Sequence, residues 1–284
     1  MSSGGRLVLV ATPIGNLGDL SPRAVQALRG ADAVACEDTR RTGRLLRHAG
    51  ISARSLLVVN DHTEATRARE VLARLDRGET VAVVTDAGMP GIADPGERLV
   101  RAAAARGHRV EVVPGPSAAI SALVVSGLPT GRFVFEGFLP RRGSGRTQRL
   151  TALATEPRTI VLYEAPHRLA RTLDDLTGAL GGDRRVVLAR ELTKLHEELW
   201  RGTLAAARDH VAAVEPRGEY VVVVEGAAEP GAADDATVVA ELEAEIRAGR
   251  STRDAVAAVA ARLDVPRRRV YDLATGRGQS RDRS

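Results

Sequence analysis

The stretch Thr85-Asp86-Ala87-Gly88-Met89-Pro90-Gly91-Ile92-Ala93-Asp94-Pro95-Gly96 follows the apolar run Val81–Val84 and precedes a predicted helix, with Pro95 placed for its first turn. Gly88 and Gly91 lack a side chain, so the backbone there can approach a ligand closely. An ordinary surface turn needs one glycine and one proline, whereas this stretch has several of each and two carboxylates. We interpret it as a ligand-binding loop after a buried strand.

The first half of the chain alternates short β-branched runs with helical stretches that end at glycines. Strands are predicted at Arg6–Ala11, Ala33–Cys36, Ser55–Val59, Thr80–Thr85 and Arg109–Val113. Strands that alternate with helices through short connections are typical of a parallel sheet. In such sheets ligands bind beyond the carboxyl ends of the strands.

Polar residues, glycines and prolines gather at these five strand ends, while the opposite ends have only common turn residues. The segments concerned are Thr12–Asp19, Glu37–Arg40, Asn60–His62, Asp86–Gly96 and Pro114–Ser117. This asymmetry predicts an active site at one edge of the sheet.

The second half predicts a further α/β domain. Its strands are expected at Phe133–Leu139, Thr159–Tyr163, Arg185–Ala189 and Tyr220–Glu225, and its helices at Pro166–Leu180 and Thr203–Val214. Two of its strand ends are also rich in polar residues, Tyr163–Arg168 and Arg190–Lys194. The fold class is therefore α/β, with two domains and a cleft between them.

The predicted domains span residues 1–117, 118–226 and 237–275. The stretch Gly226–Ala236 is rich in Ala, Gly, Pro and acid and is interpreted as a linker. It precedes three predicted helices, at Thr237–Ala248, Thr252–Leu263 and Pro266–Ala274, of which the last two resemble a helix-turn-helix. The tail Gly276–Ser284 is predicted to be disordered.

Composition limits the classes of function. The formal charge of +5 permits a polyanionic partner. Lys194 is the only lysine, so nearly all of the positive charge comes from arginine, whose planar guanidinium suits phosphate groups. Cys36 is the single cysteine, so neither a disulfide framework nor a cysteine-rich metal site is expected, and no metal is predicted. Prolines and glycines interrupt the uncharged stretch 112–131, and the first residues lack the layout of a secretion signal. We expect a cytoplasmic protein without a membrane span.

Common nucleotide and hydrolase motifs are missing from the sequence. It has no G-x-G-x-x-G in the first loop, no Gly-Lys-Ser/Thr and no G-x-S-x-G or H-E-x-x-H. The missing phosphate loop favours a ligand with an adenosine but no phosphates.

Six segments in a fixed order resemble the tetrapyrrole-methylase superfamily. They are Thr12–Asp19, Glu37–Arg40, Asp86–Gly96, Pro114–Ala118, Tyr163–Arg168 and Arg190–Lys194. The strings Asp-Ala-Gly-Met-Pro and Glu-Ala-Pro-His-Arg are similar to those of its ribose 2′-O-methyltransferases of ribosomal RNA, and differ from the corrin-pathway methylases.

The resemblance implies a homodimeric two-domain enzyme that binds S-adenosylmethionine in the cleft and methylates a cytidine ribose in 16S ribosomal RNA of the small ribosomal subunit. The cofactor contacts that it implies are Pro13, Gly15, Asp86, Ala87, Gly88, Met89, Ile92, Ser117, Ala118, Tyr163 and Leu192. Met89 stands where relatives often have an acid or a threonine, so backbone contacts to the cofactor are expected there but no side-chain hydrogen bond.

A base near the 2′-hydroxyl would assist methyl transfer by removing its proton. The candidates are Asp38, His62, Glu164, His167, Glu191 and Lys194. We favour Glu164, Glu191 and Lys194 as catalytic residues, followed by Asp38 and Arg40. Asp38 is also a candidate for the cap of the helix that follows it, a role that the neighbouring Thr39 and Arg40 favour. His62 is equally a candidate for a cap-region residue, and Glu164 is a candidate for an ion pair with Arg168.

The segment Arg141–Arg149 is interpreted as a glycine-containing basic loop that follows RNA phosphates. The predicted RNA contacts are Arg141, Arg142, Arg146, Arg149, His167 and Arg168. A solvated loop without a ligand is the alternative for this segment. For the C-terminal helices, RNA capture through Arg267–Arg269 competes with docking or support of a dimer.

Two other functions fit parts of the sequence. One is methylation of a small corrin-like or other non-RNA acceptor on the same scaffold, against which the basic segments argue. The other is a non-catalytic nucleic-acid-binding regulator, which leaves the polar strand ends of two domains unexplained.

Overall fold

Five parallel strands form the sheet whose fourth strand leads into the 85–96 loop. A computed structural model describes residues 4–60, 63–227 and 235–275, and the order of these strands in it is β3-β2-β4-β1-β5. They are β1 (Arg6–Val10), β2 (Ala33–Cys36), β3 (Leu56–Val58), β4 (Thr80–Val83) and β5 (Arg109–Val113). The predicted strands are confirmed to within two residues, and all five carboxyl ends lie at one edge.

Four helices cover both faces of this sheet. They are α1 (Pro22–Gly30), α2 (Thr39–His48), α3 (Glu64–Asp76) and α4 (Glu97–Ala105). The hydroxyl of Ser21 accepts a hydrogen bond from Ala24 N at 3.1 Å, and Pro22 occupies the first turn, so α1 begins where the sequence places it. Because both faces are covered, every residue of β2 is buried, as its apolar sequence requires.

Helix α5 (Ala118–Ser126) connects this sheet to a second one. The second sheet has the order β6-β7-β10-β8-β9. Its strands are β6 (Phe133–Phe138), β7 (Thr159–Glu164), β8 (Arg185–Arg190), β9 (Glu198–Thr203) and β10 (Tyr220–Val224). β6 and β7 are parallel, whereas β10 is antiparallel to both β7 and β8, so β6, β7 and β8 end at the edge where β10 begins.

Helices α6 (Ser144–Ala154), α7 (Pro166–Leu180) and α8 (Leu204–Ala213) pack on this sheet. The interpretation of Arg141–Arg149 as a loop is correct for residues 141–143 but was wrong for residues 144–149, which form the first half of α6. Strand β9 was not predicted, since its half-exposed, mixed sequence lacks a clear apolar alternation.

The chain divides into two compact units, Met1–Gly226 and Ala227–Ser284. Both sheets belong to the first unit, and the boundary predicted at residue 117 stays a prediction. The second unit contains α9 (Asp235–Arg247), α10 (Thr252–Arg262) and α11 (Arg267–Ala274) around a small core that includes Val238 and Val259. His62, most of the predicted linker and the tail lie outside the described residues.

The described residues contain no helix that is long and apolar enough to span a membrane. In the same part of the chain, His, Cys, Asp and Glu side chains form no group of three or more that could hold a metal ion.

Candidate active site

Two neighbouring cavities lie where the carboxyl ends of the first sheet face the polar edge of the second. The first cavity has a volume of about 350 Å³ and is lined by Ile14, Ala87, Gly88, Met89, Ile92, Ala93, Asp94, Ser117, Ala118, Phe138, Tyr163, Glu164, Ala165, Pro166, Ala189, Leu192, Lys194, Glu219, Tyr220 and Val221. The second cavity has a volume of about 360 Å³ and is lined by Thr12, Pro13, Ile14, Gly15, Leu17, Arg41, Thr42, Arg44, Leu45, Thr85, Asp86, Ala87, Lys194 and Glu219. Four residues line both, so the cavities share a wall: Ile14, Ala87, Lys194 and Glu219.

Gly88 forms part of the first cavity in a backbone conformation that suits glycine. Its φ is +84°, and a Cβ there would lie 3.3 Å from Ile14 Cγ2 and 3.6 Å from Pro116 O. Two hydrogen bonds join its backbone to Thr12, with Gly88 O accepting at 2.9 Å and Gly88 N donating at 3.1 Å. These bonds fix the 85–96 loop against the loop after β1 and hold the peptide at the cavity wall.

Tyr163 forms the opposite wall at the end of β7. Its hydroxyl accepts a hydrogen bond from Ala119 N at 3.3 Å, and its ring meets those of Phe135 and Phe138 edge-on at 5.0 and 5.7 Å. Burial raises the pKa of Tyr163, so the phenol stays neutral. A rigid, mainly apolar face thus lies opposite the glycine backbone.

The segment after β8 closes the site through an unusual backbone. Glu191 and Thr193 have φ angles of +49° and +64°, a region that non-glycine residues rarely adopt. The hydroxyl of Thr193 accepts a hydrogen bond from Asn16 N at 3.1 Å, which ties this segment to the loop of the first sheet. A Cβ on Gly15 would lie only 2.4 Å from Lys194 Cγ, so the contact requires glycine.

Lys194 sits in the wall between the cavities, between two carboxylates. Its Nζ donates to Glu191 Oε1 at 2.8 Å and to Glu219 Oε2 at 2.7 Å. Partial burial disfavours the charge on Lys194, but the two carboxylates outweigh it and raise its pKa. Burial likewise opposes ionisation of Glu191, yet the bonds from Lys194 and Glu219 N lower its pKa. Both groups are therefore charged at neutral pH and are poor proton acceptors.

Residues 6–208 match the family model of tetrapyrrole (corrin/porphyrin) methylases. The chain belongs to this tetrapyrrole methylase family. A solved structure with the same fold is uroporphyrin-III C-methyltransferase from Thermus thermophilus complexed with S-adenyl homocysteine, at a TM-score of 0.55 and 20% identity over 78% of this chain and 97% of that one.

Curated relatives of the chain have the name ribosomal RNA small subunit methyltransferase I. The protein from Xylella fastidiosa (strain Temecula1) is 54% identical over 82% of this chain and 86% of its own length. The protein from Synechocystis sp. (strain PCC 6803) is 46% identical over 95% of this chain and 97% of its own length. The second alignment extends over nearly all of both chains, including the C-terminal unit.

Within this family member, the structure separates the predicted cofactor contacts into two groups. Those that line the first cavity are Ala87, Gly88, Met89, Ile92, Ser117, Ala118, Tyr163 and Leu192. Pro13, Gly15 and Asp86 line the second cavity instead. Ala87 lines both cavities, whereas Asp86 lines only the second, so neighbouring residues of the 85–96 loop reach different parts of the site.

The proposed base Glu164 is fully engaged in structural contacts, which contradicts a catalytic role for its carboxylate. Its oxygens accept from Thr172 Oγ1 at 2.6 Å and Ala165 N at 2.8 Å, and Arg168 Nε lies 3.1 Å away. The side chain is only 1% exposed. Glu164 therefore anchors the first turns of α7 to the end of β7, and Arg168 is held there too rather than presented to RNA.

Replacing Glu164 by glutamine tests this correction. Removing one partner of a buried ion pair is expected to lower the free energy of unfolding by about 3 kcal/mol. Methyl transfer per folded molecule should fall by less than about five-fold, whereas loss of a general base costs about 100-fold or more. Urea unfolding and single-turnover transfer measure the two effects. Glu225→Gln, which breaks a more exposed pair with Arg185, is the control and should cost under about 1 kcal/mol.

Asp38 caps helix α2 instead of facing a reactant. Its Oδ1 accepts from Arg40 N at 2.7 Å, and the Arg40 guanidinium donates to Oδ1 and Oδ2 at 3.2 and 2.9 Å. These bonds from Arg40 lower the pKa of Asp38 to about 2, so it accepts a proton poorly. These contacts fit the alternative interpretation of Asp38 as a helix cap, and the Arg40 side chain is its ion-pair partner.

Acid should remove the contribution of Asp38 to stability. Its pKa is lower in the folded chain than its ordinary 3.8, so the contribution is complete above about pH 5 and is lost as the pH falls towards about 2. We expect the stability difference between the wild type and Asp38→Asn to be constant near neutrality and to shrink over that acid range. Urea unfolding at a series of pH values measures it, and a difference that stays constant down to pH 2 would contradict the assignment.

The predicted RNA contacts also divide into buried and exposed arginines. Arg146 is 4% exposed, and its guanidinium donates to Asp175, Thr172 and Pro140 O, so its assignment to RNA was wrong. Arg149 pairs with Glu136. Arg141, Arg142 and His167 are exposed, and their side chains have no hydrogen bond or ion pair within the described part of the chain.

Several lining residues were not predicted from the sequence. Glu219 and Tyr220 reach the site because the antiparallel β10 begins at the edge where β7 and β8 end. Arg41 and Arg44 reach the second cavity from α2. Arg41 and Arg44 could have been predicted, since they follow a strand end and are spaced to lie on one face of a helix. Glu219 and Tyr220 could not, because the sequence does not reveal the direction of β10.

Proposed function

We propose that this protein transfers a methyl group from S-adenosylmethionine to the 2′ oxygen of a cytidine ribose in 16S ribosomal RNA of the small subunit. The observation that carries this proposal is the pair of adjoining cavities at the strand ends, one walled by backbone and apolar groups and one by arginines. The close similarity to relatives named ribosomal RNA small subunit methyltransferase I supports the substrate class.

The first cavity fits the methyl donor. Its volume lies in the range of small-molecule sites, and Gly88, whose φ of +84° favours glycine, contributes backbone to its wall. Met89, Ile92 and Leu192 give it apolar surface suited to an adenine ring. We assign the donor to Ala87, Gly88, Met89, Ile92, Ser117, Ala118, Tyr163 and Leu192.

S-adenosylmethionine, when bound, supplies an electrophilic methyl group on a sulfonium. The protein therefore contributes mainly alignment, because proximity and orientation account for much of the acceleration in such a displacement. The hydrogen bonds between Thr12 and Gly88 and between Asn16 and Thr193 hold the loops of both sheets in a fixed relation. Lys194, kept charged by Glu191 and Glu219, stiffens the wall between the cavities and is assigned a positioning role.

RNA contact is assigned to the exposed basic residues on this edge of the second sheet. Arg141 and Arg142 follow β6, and His167 follows β7; these strands are parallel and end together. In the second unit, Arg267 and Arg268 are exposed on α11 and suit an additional phosphate contact. An RNA surface of this kind is consistent with a cytoplasmic enzyme.

Labelled methyl transfer tests the function. Wild-type protein with labelled S-adenosylmethionine should modify undermethylated small ribosomal subunits or their naked 16S RNA, and nuclease digestion should release the label as 2′-O-methylcytidine. A parallel reaction with a uroporphyrinogen tests the corrin-like alternative and should give no label. Label on a base, label on the tetrapyrrole, or no transfer at several salt concentrations would contradict the proposal.

A homodimer is proposed through the edge strand β5 and helix α5. One face of α5 is buried on the second sheet, but Ile120, Val124 and Val125 on its other side are 45%, 67% and 40% exposed. On the edge strand β5, which precedes α5 in the chain, Val112 is also 49% exposed. Contiguous exposed apolar residues are typical of an interaction surface, and a symmetric interface would cover this one on both copies.

Val124→Glu should therefore convert the dimer to a monomer, because a two-fold interface would bury the introduced charge twice. Light scattering coupled to size exclusion measures the mass. Val214→Glu is the matched control, since Val214 is 58% exposed and lies at the end of α8. A wild-type monomer, or equal dissociation by both variants, would contradict this interface.

A further inference from the structure

The second cavity contains two buried polar atoms that lack a partner. Thr85 Oγ1 and Asp86 Oδ1 are inaccessible to solvent and accept or donate no hydrogen bond within the described residues. Both residues line the second cavity at the end of β4. Buried polar atoms are nearly always paired, so these two mark an incompletely satisfied polar wall of the cavity. The Asp86 side chain as a whole is 20% exposed, so it faces the cavity although Oδ1 itself is covered.

Arginines from α2 give the same cavity a positive wall. Arg41 Nε lies 3.4 Å from Asp86 Oδ2, a distance too long for a strong ion pair. The Arg44 guanidinium has no hydrogen bond or ion pair among the described residues. Each arginine is thus available for a phosphate, and the planar guanidinium binds phosphate oxygens in pairs.

The pKa of Asp86 is raised from its ordinary value, whereas the pKa values of Asp38 and Glu191 at the same edge are lowered. Burial raises the pKa of Asp86 and the charge of Asp38 adds to this effect, whereas the charges of Arg41 and Arg40 and a hydrogen bond from the Asp38 backbone oppose it. The carboxylate oxygens of Asp38 accept hydrogen bonds from Arg40, and the carboxylate of Glu191 is paired with Lys194. Glu164, the remaining carboxylate among the candidates, is held by Thr172 and Arg168 of α7.

The two cavities touch at Ala87, the residue after Asp86, and share Ile14, Lys194 and Glu219. A group bound in the second cavity therefore lies directly beside whatever fills the first. The volume of about 360 Å³ is sufficient for one nucleoside.

We propose that the second cavity binds the acceptor nucleotide, with Arg41 and Arg44 on the flanking phosphates and the Asp86 carboxylate as the proton acceptor for the ribose 2′-hydroxyl. This inference rests on the proposed function. In the transfer, a lone pair of the 2′ oxygen forms the new O–C bond while the S–C bond breaks and its electrons stay on sulfur as a neutral thioether. The hydroxyl proton passes to Asp86, so the positive charge of the sulfonium and the negative charge of the carboxylate disappear together.

Asp86→Asn is the test, because it keeps size and hydrogen bonding but removes the basic oxygen. We expect kcat on small subunits to fall by about 100-fold or more, with KM for the subunits changed less than about three-fold. The dissociation constant of S-adenosylmethionine, measured by calorimetry without RNA, should stay within about three-fold of wild type. Asp32→Asn is the control, since Asp32 also pairs with one arginine but lies at the opposite end of β2; its kcat should match wild type.

A kcat within about three-fold of wild type in Asp86→Asn would overturn the assignment. A loss of donor affinity as large as the loss of rate would also overturn it, because Asp86 would then belong to the donor site. Arg44→Gln should raise KM for the subunits about ten-fold at unchanged kcat, and an unchanged KM would remove the phosphate role. These outcomes apply only if the wild type modifies the subunits. A wild type that transfers no methyl group would refute the proposed function, whereas an active Asp86→Asn would refute only the role of Asp86.

Discussion

Replacing Gly88 by valine is expected to weaken S-adenosylmethionine binding by about 100-fold or more and to abolish measurable transfer at ordinary donor concentrations. Valine at φ +84° is strained, and its Cβ would lie 3.3 Å from Ile14 Cγ2 and 3.6 Å from Pro116 O before the two methyl groups are added. The methyl groups would push either into the first cavity or against its wall. Calorimetric titration with the donor measures the affinity directly.

Gly107→Val separates the effect on the cavity from backbone strain. Gly107 has a φ of +75° and no atom within 4 Å of its Cβ position, and it follows α4 at the opposite edge of the sheet. Both variants introduce the same kind of backbone strain, but Gly107→Val should bind the donor like wild type. Equal affinity in Gly88→Val and wild type would contradict the assignment of the first cavity.

The double substitution Arg141→Glu and Arg142→Glu is expected to raise KM for small subunits by about 30-fold or more near physiological salt. Both guanidinia are exposed and without partners in the described part of the chain, so reversing their charge removes phosphate contacts without breaking internal ones. The slope of log KM against log salt should become shallower by about 1.5, because about 0.7 to 0.9 counterions are released per phosphate contact. kcat at saturating subunits should not change.

Arg29→Glu with Arg132→Glu gives the same change in net charge at the opposite edges of the sheets. Arg29 ends α1 before β2 begins, and Arg132 precedes β6; both are exposed. This control should alter KM by less than about three-fold. Equal effects of the two double variants would show that overall charge, and not the edge carrying Arg141 and Arg142, determines RNA affinity.

The strand ends of the first sheet were predictable from the sequence for a physical reason. A parallel sheet covered on both faces requires apolar strands, so polar residues are confined to the ends, and the 85–96 loop stands out from the run before it. The same reasoning located the ends of β7 and β8. It could not show that β10 is antiparallel and begins at this edge, because strand direction depends on pairing between distant segments.

The roles of individual side chains were harder to predict. The sequence indicated Glu164 as a base in a polar segment, but its oxygens are bound by Arg168 in the first turn of α7 and by Thr172 in the second. Arg146 was predicted to lie in a basic loop, but it lies in α6, where its side chain donates a hydrogen bond to Asp175. In each case the role of the side chain depends on a contact with another residue, and the packing of the elements, not the local sequence pattern, determines that contact.

A crystal of the protein soaked with S-adenosylhomocysteine tests the central claim most directly. Electron density for the ligand is expected in the first cavity, with its contacts made by the backbone at Gly88 and by residues from both sheets, Ser117 and Tyr163 among them. A first cavity that stays empty at saturating ligand, or a ligand bound elsewhere on the chain, would contradict the account.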